Sequence, residues 1–246
     1  MTGNFLAGVR GFWRGVRLCA HPRLRLYVAA PIATASALFV LLVNWAVEAV
    51  QRLSSALIAW LPDWLDWLHW LLWPAAIIIA VLFLVYGFVF LCNLIAAPFN
   101  GLLAERAEQL LAGSTPSDVP WMRLLRELPT LLLNEVRKIG YFLRFALPLL
   151  LLTLIPGINL AAGPLWLLLG SWMLALEYLD YPLGNHQLGF PAVRRYARLH
   201  RGRALGFGAV ALLASTVPLI NLLVMPAAVI GATVLVVEAG RDANAA

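Results

Sequence analysis

The chain has 246 residues, of which 62% are apolar and only 12% are charged, and its mean hydropathy is +0.84. Soluble domains are about 45–50% apolar and about 25% charged, so this composition excludes the soluble globular, disordered and fibrous classes. The two cysteines, Cys19 and Cys92, stand in no CxxC or zinc-type spacing, which excludes a disulfide scaffold and a cysteine-based metal site. We expect the net charge of +6 to reflect membrane topology before nucleic-acid binding.

Residues 4–21 predict an amphipathic helix that lies in the plane of the lipid headgroups. The helix has an apolar face, a basic face directed toward phosphate and water, and a stripe of glycines that lets another helix approach closely. The apolar face contains Phe5, Val9, Phe12 and Val16, the basic face contains Arg10, Arg14, Arg17 and His21, and the glycine stripe contains Gly8, Gly11 and Gly15.

A candidate anion site follows this helix at residues 21–26. Pro22 favours the first turn of a new helix, which would place Arg23 and Arg25 beside backbone N–H groups that are still unpaired. Two guanidinium groups at a helix N-terminus suit an oxyanion. The alternative is a cytoplasmic anchor that binds lipid phosphate, the usual role of arginines just before a transmembrane span.

Four long blocks contain no Asp, Glu, Lys or Arg: residues 26–47, 70–104, 145–176 and 204–237. About 20 helical residues cross the hydrocarbon core, so the first two blocks predict full spans at 26–50 and 71–97, the second with a helical extension to residue 112. The tryptophans of the outer loop at 51–70 predict an aromatic belt at the membrane surface. Asp63, Asp66 and His69 in that loop are too few to indicate a metal site.

The last two blocks each predict a helical hairpin that dips into the bilayer and returns to the same side. Each block is too long for one crossing and too short for two. The pattern P-x-I-N-L-x3-P interrupts both blocks, beginning at Pro156 and at Pro218, and it places Asn159 and Asn221 at the two turns. Because backbone groups at such tips cannot face lipid unsatisfied, we expect both asparagines to lie beside a polar cavity. An asparagine that caps its own helix is the commoner alternative.

The distribution of basic residues supports hairpins that return to one side. Clusters of arginine and lysine precede the first block, accompany a helical segment predicted at 113–140, and fill a loop predicted at 181–203. The 51–69 loop has one arginine against two aspartates. By the positive-inside rule, the three basic segments and the N-terminus are cytoplasmic and this loop is outside. The alternative is two kinked full spans that violate the rule.

Motifs of the common enzyme classes are absent from the sequence. There is no P-loop, H-E-x-x-H or G-x-S-x-G motif, and the four histidines are scattered. Glu177 and Asp180 are three residues apart and would suit acid–base chemistry or a proton relay, but a solvated helix terminus is the preferred interpretation. We therefore predict no catalytic residue, no metal and no cofactor.

Several segments together resemble the CysZ sulfate-permease family. They are PFNGLLAE at 98–105, YLDYP at 178–182 with the following Asn185-His186, PRLRLYV at 22–28, and the two hairpin patterns. The resemblance covers roughly residues 5–238. It implies an inner-membrane sulfate channel or permease that supplies cysteine biosynthesis, is built from two full spans plus hemi-penetrating hairpins, and assembles as an oligomer.

The resemblance also implies a sulfate site at an L-R-R segment that opens the first span. Leu24 and Arg25 match this segment, whereas Leu26 stands at the second arginine position, and Arg23 would supply the missing charge from another direction. The candidates for a pore or constriction are Asn93, Asn100, Glu105, Arg106, Asn159 and Asn221. For Glu105 and Arg106, the alternative is that the two side chains pair with each other on the surface of one helix.

The sequence thus predicts an all-α membrane protein with two full transmembrane helices, two hemi-penetrating helical hairpins and an N-terminal amphipathic helix, in one multi-pass domain over residues 1–246. Its predicted function is sulfate transport across the bacterial inner membrane into the cytoplasm, driven by the gradient, the membrane potential or a coupled ion. The predicted partners are sulfate, membrane lipids and further copies of the chain, without nucleic acid. A membrane scaffold or lipid-interacting protein that does not transport is the alternative.

Overall fold

The computed structural model describes residues 2–60, 69–113, 121–157 and 159–244, and the regular secondary structure of these ranges is entirely α-helical. Within these ranges, three segments are apolar enough and long enough to cross a bilayer: Arg25–Arg52, Asn159–Asn185 and Leu223–Asp242. The chain is therefore an all-α membrane protein, as predicted. The helices of the described ranges are α1 Thr2–Cys19, α2 Arg25–Trp60, α3 His69–Ala112, α4 Trp121–Thr153, α5 Asn159–Asn185, α6 Phe190–Leu199, α7 Arg201–Ser215 and α8 Pro218–Asn244.

Several helices extend past the boundaries that the charge pattern indicated. α2 continues to Trp60, ten residues into the predicted outer loop. The segment at 181–203 is mostly helical and not a loop, because α5 extends to Asn185 and α6 occupies Phe190–Leu199. Charges mark where a chain meets water, whereas a helix ends where its backbone changes direction, so uncharged blocks underestimate helix length. Residues 61–68, with both aspartates of that loop, lie outside the described residues.

The chain divides into two compact units, Met1–Val28 with Asn100–Ala246, and Ala29–Phe99. In the first unit α8 is the central helix, and every residue from Pro226 to Leu235 is buried. α1, α5 and α7 pack around it. A helix that is apolar all round belongs in the interior of a helical assembly, which explains the position of α8.

The second unit contains most of α2 and the first part of α3 as an antiparallel pair. Phe39 contacts Phe88 with ring centroids 5.2 Å apart, and Trp45 contacts Phe83 at 6.0 Å. Polar side chains on α2 donate hydrogen bonds to carbonyls one turn earlier on their own helix; an example is the Asn44 amide, 2.8 Å from Val40 O. Such bonds satisfy polar groups without water. Most large apolar side chains of this unit are exposed, as expected of helices surrounded by lipid.

The first predicted helix break lies between α4 and α5. Gly157 has a φ of +86°, a left-handed conformation that glycine tolerates best. The backbone N–H groups of Leu154 and Ile155 donate to carbonyls three residues earlier, at 3.1 and 3.3 Å, and the N–H of Asn159 donates to Ile155 O at 3.1 Å. These bonds pair some of the backbone groups that the two helix ends leave without a partner in their own helix. α5 is about 40 Å long, a length that suffices for a complete crossing.

The second break lies between α7 and α8, just before its sequence pattern and not within it. Pro218 opens α8, where its missing N–H and fixed φ are tolerated, and the turn falls on Thr216 and Val217. The N–H groups of both turn residues donate to carbonyls of α7 at 3.3 Å. Asn221 therefore belongs to the first turns of α8 and not to the break.

Candidate functional site

The turn between α1 and α2 carries the predicted sulfate-binding residues. α2 begins at Arg25 and not at Pro22 as predicted. The N–H groups of Leu24 and Arg25 both donate to His21 O at 2.9 Å, and the N–H of Arg23 lies 3.3 Å from His21 Nδ1. The prediction of unpaired backbone donors at Arg23 and Arg25 was therefore wrong, because His21 folds back and accepts all three.

The side chains of this turn separate into one anchor and two free cations. Leu24 is 0% exposed and belongs to the hydrophobic core of the first unit, which fixes the position of the turn. The side chains of Arg23 and Arg25 are exposed, and within the described residues neither guanidinium makes an ion pair. Leu26 is also exposed and contributes no charge. The turn thus presents two uncompensated positive charges on a rigid support.

A short polar chain lies close to this turn. The Arg106 guanidinium stands over the ring of Tyr27, 5.7 Å from its centroid, and donates to Gln109 Oε1 at 3.2 Å. Gln109 Nε2 in turn donates to Glu105 Oε1 at 3.1 Å. Glu105 and Arg106 are thus linked along the surface of α3 through Gln109. This arrangement matches the alternative in which Glu105 and Arg106 pair on the helix surface. It also holds the Arg106 guanidinium beside Tyr27, which is two residues after Arg25 on α2.

Two sequence motifs that lie about 80 residues apart pack against each other. Asn100 is 3% exposed, and its amide lies 3.4 Å from the Tyr181 hydroxyl. Asn185 Nδ2 donates to Gly101 O at 3.0 Å. Two turns further along α3, Glu108 Oε1 lies 2.9 Å from His186 Nε2. The PFN segment and the YLDYP…NH segment therefore form one junction between α3 and α5, in which Asn100 is a buried member.

Membership of a known family was tested by comparison with other proteins. Residues 11–226 match the model of a family described as "Sulfate transporter CysZ/Etoposide-induced protein 2.4". The chain belongs to this family. A Pseudomonas aeruginosa protein named "Sulfate transporter CysZ" is 40% identical to this chain, and the match covers 97% of this chain and 98% of the relative. A Pectobacterium atrosepticum protein of the same name is 39% identical, and the match covers 97% of this chain and 87% of the relative. A Pseudomonas fluorescens protein of the same name is 42% identical over 100% of this chain and 97% of its own.

This assignment confirms the family to which the sequence motifs pointed. The relatives carry the name of a transporter, and the family is not an enzyme class. In this CysZ-family chain the matched residues include the turn at Arg23–Arg25, the α3–α5 junction and both helix breaks. The features described above therefore all fall within the family's region of similarity.

Lys138 on α4 lies at the centre of a cluster of charged side chains. Its Nζ lies 2.7 Å from Asp180, 3.0 Å from Glu177 and 3.2 Å from Glu135. Lys138 is only 7% exposed. Glu177 and Asp180 lie within α5, which ends at Asn185, and both pair with Lys138, so they are not the solvated helix terminus that the sequence suggested. That interpretation was wrong because the partner comes from a different helix. The spacing of three residues on each helix, Glu135 to Lys138 and Glu177 to Asp180, is the sequence signal that could have indicated such a pairing.

The carboxylates determine the charge state of Lys138. Burial by itself would lower the pKa of this amine, but the three neighbouring carboxylates outweigh burial and raise the pKa of Lys138 above its ordinary value of 10.5. Lys138 is therefore protonated at any physiological pH, and it joins α4 to α5 through charge-assisted hydrogen bonds.

Arg194 on α6 is a half-buried cation, with its Nε atom buried, that sequence reasoning did not single out. Its guanidinium lies over the Tyr141 ring, 4.7 Å from the centroid, and near the Phe190 ring at 5.9 Å. The Tyr141 hydroxyl accepts a hydrogen bond from Trp172 Nε1 at 3.2 Å. The cation–π contact with Tyr141 connects α6 to α4, and the hydrogen bond between Trp172 and Tyr141 connects α4 to α5.

The remaining pore candidates do not meet at one place in the described part of the chain. Asn159 opens α5, and its side chain is exposed beside the first helix break. Asn93 lies within α3 and Asn221 within α8, and the side chains of both are outside the described residues. Across the described ranges, no group of three or more His, Cys, Asp or Glu residues is arranged to hold a metal ion.

Proposed function

We propose that this chain transports sulfate across the bacterial inner membrane into the cytoplasm, where sulfate is assimilated into cysteine. The observation that carries the proposal is the similarity, at about 40% identity over nearly the whole of both chains, to relatives named as sulfate transporters. The all-α membrane architecture is consistent with this function. The proposal covers a channel as well as a permease.

In this proposal Arg23 and Arg25 form the site that captures sulfate. Sulfate is a strongly hydrated dianion, so a transport site must replace part of its water shell without binding so tightly that release stalls. Two exposed guanidinium groups meet this requirement because they are uncompensated but remain in contact with water. Leu24 contributes by fixing the turn in the core. The family's second arginine position is Leu26 here, so Arg23 takes over that charge.

We further propose a charged constriction at Glu105 and Arg106. The support is geometric: Arg106 contacts Tyr27, close in sequence to Arg25, so an anion released from the turn would meet a second cation nearby. Asn93, Asn100, Asn159 and Asn221 are proposed as further polar groups along the pathway. Asn100 would act through the α3–α5 junction that it helps to hold, because its own side chain is buried.

The proposed topology places the N-terminus and the basic segments in the cytoplasm. The support is the concentration of arginine near α1, on α4 and on α6, against a single arginine in residues 51–69. We propose that the two broken helix pairs, α4–α5 and α7–α8, return to the same side of the bilayer. The proposed assembly is a homo-oligomer, and membrane lipids are its second partner.

Labelled sulfate uptake into liposomes that contain the purified protein tests the function. We expect uptake above that of empty liposomes, reduced by unlabelled sulfate in excess. Uptake equal to that of empty liposomes would contradict transport and favour a membrane scaffold.

The turn is tested by Arg25→Ala, with Arg195→Ala as the matched control. Arg195 is an exposed arginine on α6. Loss of one charge-assisted contact is expected to weaken sulfate binding about tenfold in Arg25→Ala, with the fold intact because the side chain is exposed. The control is expected to bind sulfate normally. Equal sulfate affinity in the two variants would remove Arg25 from the site.

A further inference from the structure

A cleft lined mainly by arginines lies where α1 meets α7 and the end of α8, away from the turn at Arg23–Arg25. Its volume is about 480 Å³. This is more space than a bare tetrahedral anion requires. The lining residues are Ala7, Arg10, Gly11, Arg14, Arg203, Glu238, Arg241 and Asp242.

The charges of this cleft do not balance. Four arginines face two carboxylates, which leaves a charge of +2 in the cleft. Arg14 pairs with Glu238, and Arg203 lies 2.9 Å from Asp242. Arg241 donates to the backbone carbonyl of Leu111 at 2.5 Å and has no carboxylate partner among the described residues.

Arg10 is the second uncompensated cation. Its Nε donates only to Leu6 O on its own helix, at 3.4 Å, so the rest of the guanidinium fork remains open. Arg10 and Arg241 approach the cleft from different helices. Convergent guanidinium groups with free N–H donors are suited to bidentate binding of phosphate or sulfate oxygens.

The surface of α1 beside the cleft is apolar and exposed. The side chains of Leu6, Trp13 and Val16 are exposed on the helix face that adjoins the basic face. The glycine face of α1 packs against α7 and α8, so the cleft lies between a protein-facing side and a lipid-compatible side. A phosphate bound in the cleft could therefore belong to a lipid whose acyl chains run along these apolar side chains.

From this geometry we propose that the cleft binds a tetrahedral oxyanion, supplied either as the phosphate of an anionic lipid headgroup or as free sulfate. The +2 charge and the two guanidinium groups of Arg10 and Arg241, which have no carboxylate partner among the described residues, provide the attraction. The size of the cleft and the adjoining apolar face suit the lipid source. This binding goes beyond the proposed transport function and does not depend on it.

The test compares Arg10→Gln with Arg17→Gln. Arg17 is an exposed arginine on the same helix that does not line the cleft, so the control preserves general attraction to anions. A second variant, Ala7→Glu, places a carboxylate in the cleft without touching an arginine. Each purified protein is titrated in detergent with phosphatidylglycerol, with phosphatidylcholine and with sodium sulfate, while the intrinsic tryptophan fluorescence and the melting temperature are recorded.

We expect saturable binding in the wild type and in Arg17→Gln, and about tenfold weaker binding in Arg10→Gln and Ala7→Glu. This pattern with phosphatidylglycerol identifies the lipid source, and the same pattern with sulfate identifies the free ion. Equal binding by Arg10→Gln, Ala7→Glu and Arg17→Gln would overturn the proposal, and so would equal stabilisation by phosphatidylcholine. Because binding is measured in detergent without flux, its failure is distinguishable from a failure of transport.

Discussion

Lys138 illustrates how one buried side chain organises charged residues from two helices. Glu177 and Asp180 on α5 approach Lys138 more closely than Glu135 on its own helix does. Removing one member of a buried ion pair is more damaging than the pair is stabilising, because the remaining charges stay in a medium that solvates them poorly. We therefore expect the cluster to be sensitive to loss of the amine.

Lys138→Met is predicted to lower the free energy of unfolding by about 3 kcal/mol at about pH 8. This predicted loss is at the lower end of the range for breaking a buried ion pair, because the Glu135 and Glu177 side chains are partly exposed. The loss should be smaller at about pH 5, where the abandoned carboxylates can take up protons. Thermal unfolding in detergent at both pH values measures it.

The matched control is Arg144→Met, an exposed cation on the same helix, for which a change within about 0.5 kcal/mol is expected. Equal melting temperatures for the two variants would show that the cluster contributes nothing. In the wild type, the raised pKa of Lys138 means that the amine is fully charged below its ordinary pKa of 10.5, and on the alkaline side its pairing is lost only as the pH rises through the raised value.

At the scale of elements, α1 is held by direct contact between helix backbones. A Cβ added at Gly15 would collide with the Ala227 carbonyl and with the backbone of Gly231. A Cβ at Gly231 would come within 2.9 Å of Gly11 O. The glycine stripe predicted from the sequence thus lets α1 lie against α8 at backbone distance.

Gly15→Ala is predicted to destabilise the protein by about 1–3 kcal/mol, since α1 must move away from α8 to admit one methyl group. The control is Gly140→Ala on α4, where a Cβ meets no atom within 4 Å. There alanine should leave stability unchanged or raise it by up to about 1 kcal/mol, because alanine favours the helix. Thermal unfolding of both variants provides the measurement, and a Gly15→Ala protein as stable as Gly140→Ala would show that α1 is not tightly packed.

At the scale of the whole molecule, the distribution of charge determines the proposed orientation. The exposed arginines of α6 and the exposed tryptophans at the start of α3 are predicted to face opposite sides of the membrane. The first helix break, beside Asn159, is predicted to stay inaccessible from outside. These three positions make the topology testable in one experiment.

Single cysteines at Trp70, Asn159 and Arg195, in a chain with Cys19→Ser and Cys92→Ser, would be treated with a membrane-impermeant maleimide in intact spheroplasts. We expect labelling at Trp70→Cys and none at Arg195→Cys until the membrane is permeabilised. Asn159→Cys should also remain unlabelled from outside. Labelling of Asn159→Cys as fast as Trp70→Cys would mean that α4 and α5 meet on the outer side and that the hairpin interpretation is wrong.

The sequence by itself determined the features that depend on composition and on spacing within one segment. The all-α membrane class followed from the uncharged blocks, the glycine face of α1 from spacings of three and four residues, and the family from short motifs. The interruptions near Pro156 and Pro218 were also predictable, because proline acts on its own backbone neighbours.

Only the tertiary structure decided which distant residues meet. Glu177 and Asp180 gained a partner 39 and 42 residues away, and the arginine cleft gathers residues from α1, α7 and α8. His21 removed the backbone donors expected at Arg23 and Arg25 by folding back as an acceptor. Local spacing fixes which face of a helix a side chain occupies, but the partner of that face depends on how helices pack, and a single helix does not contain that information.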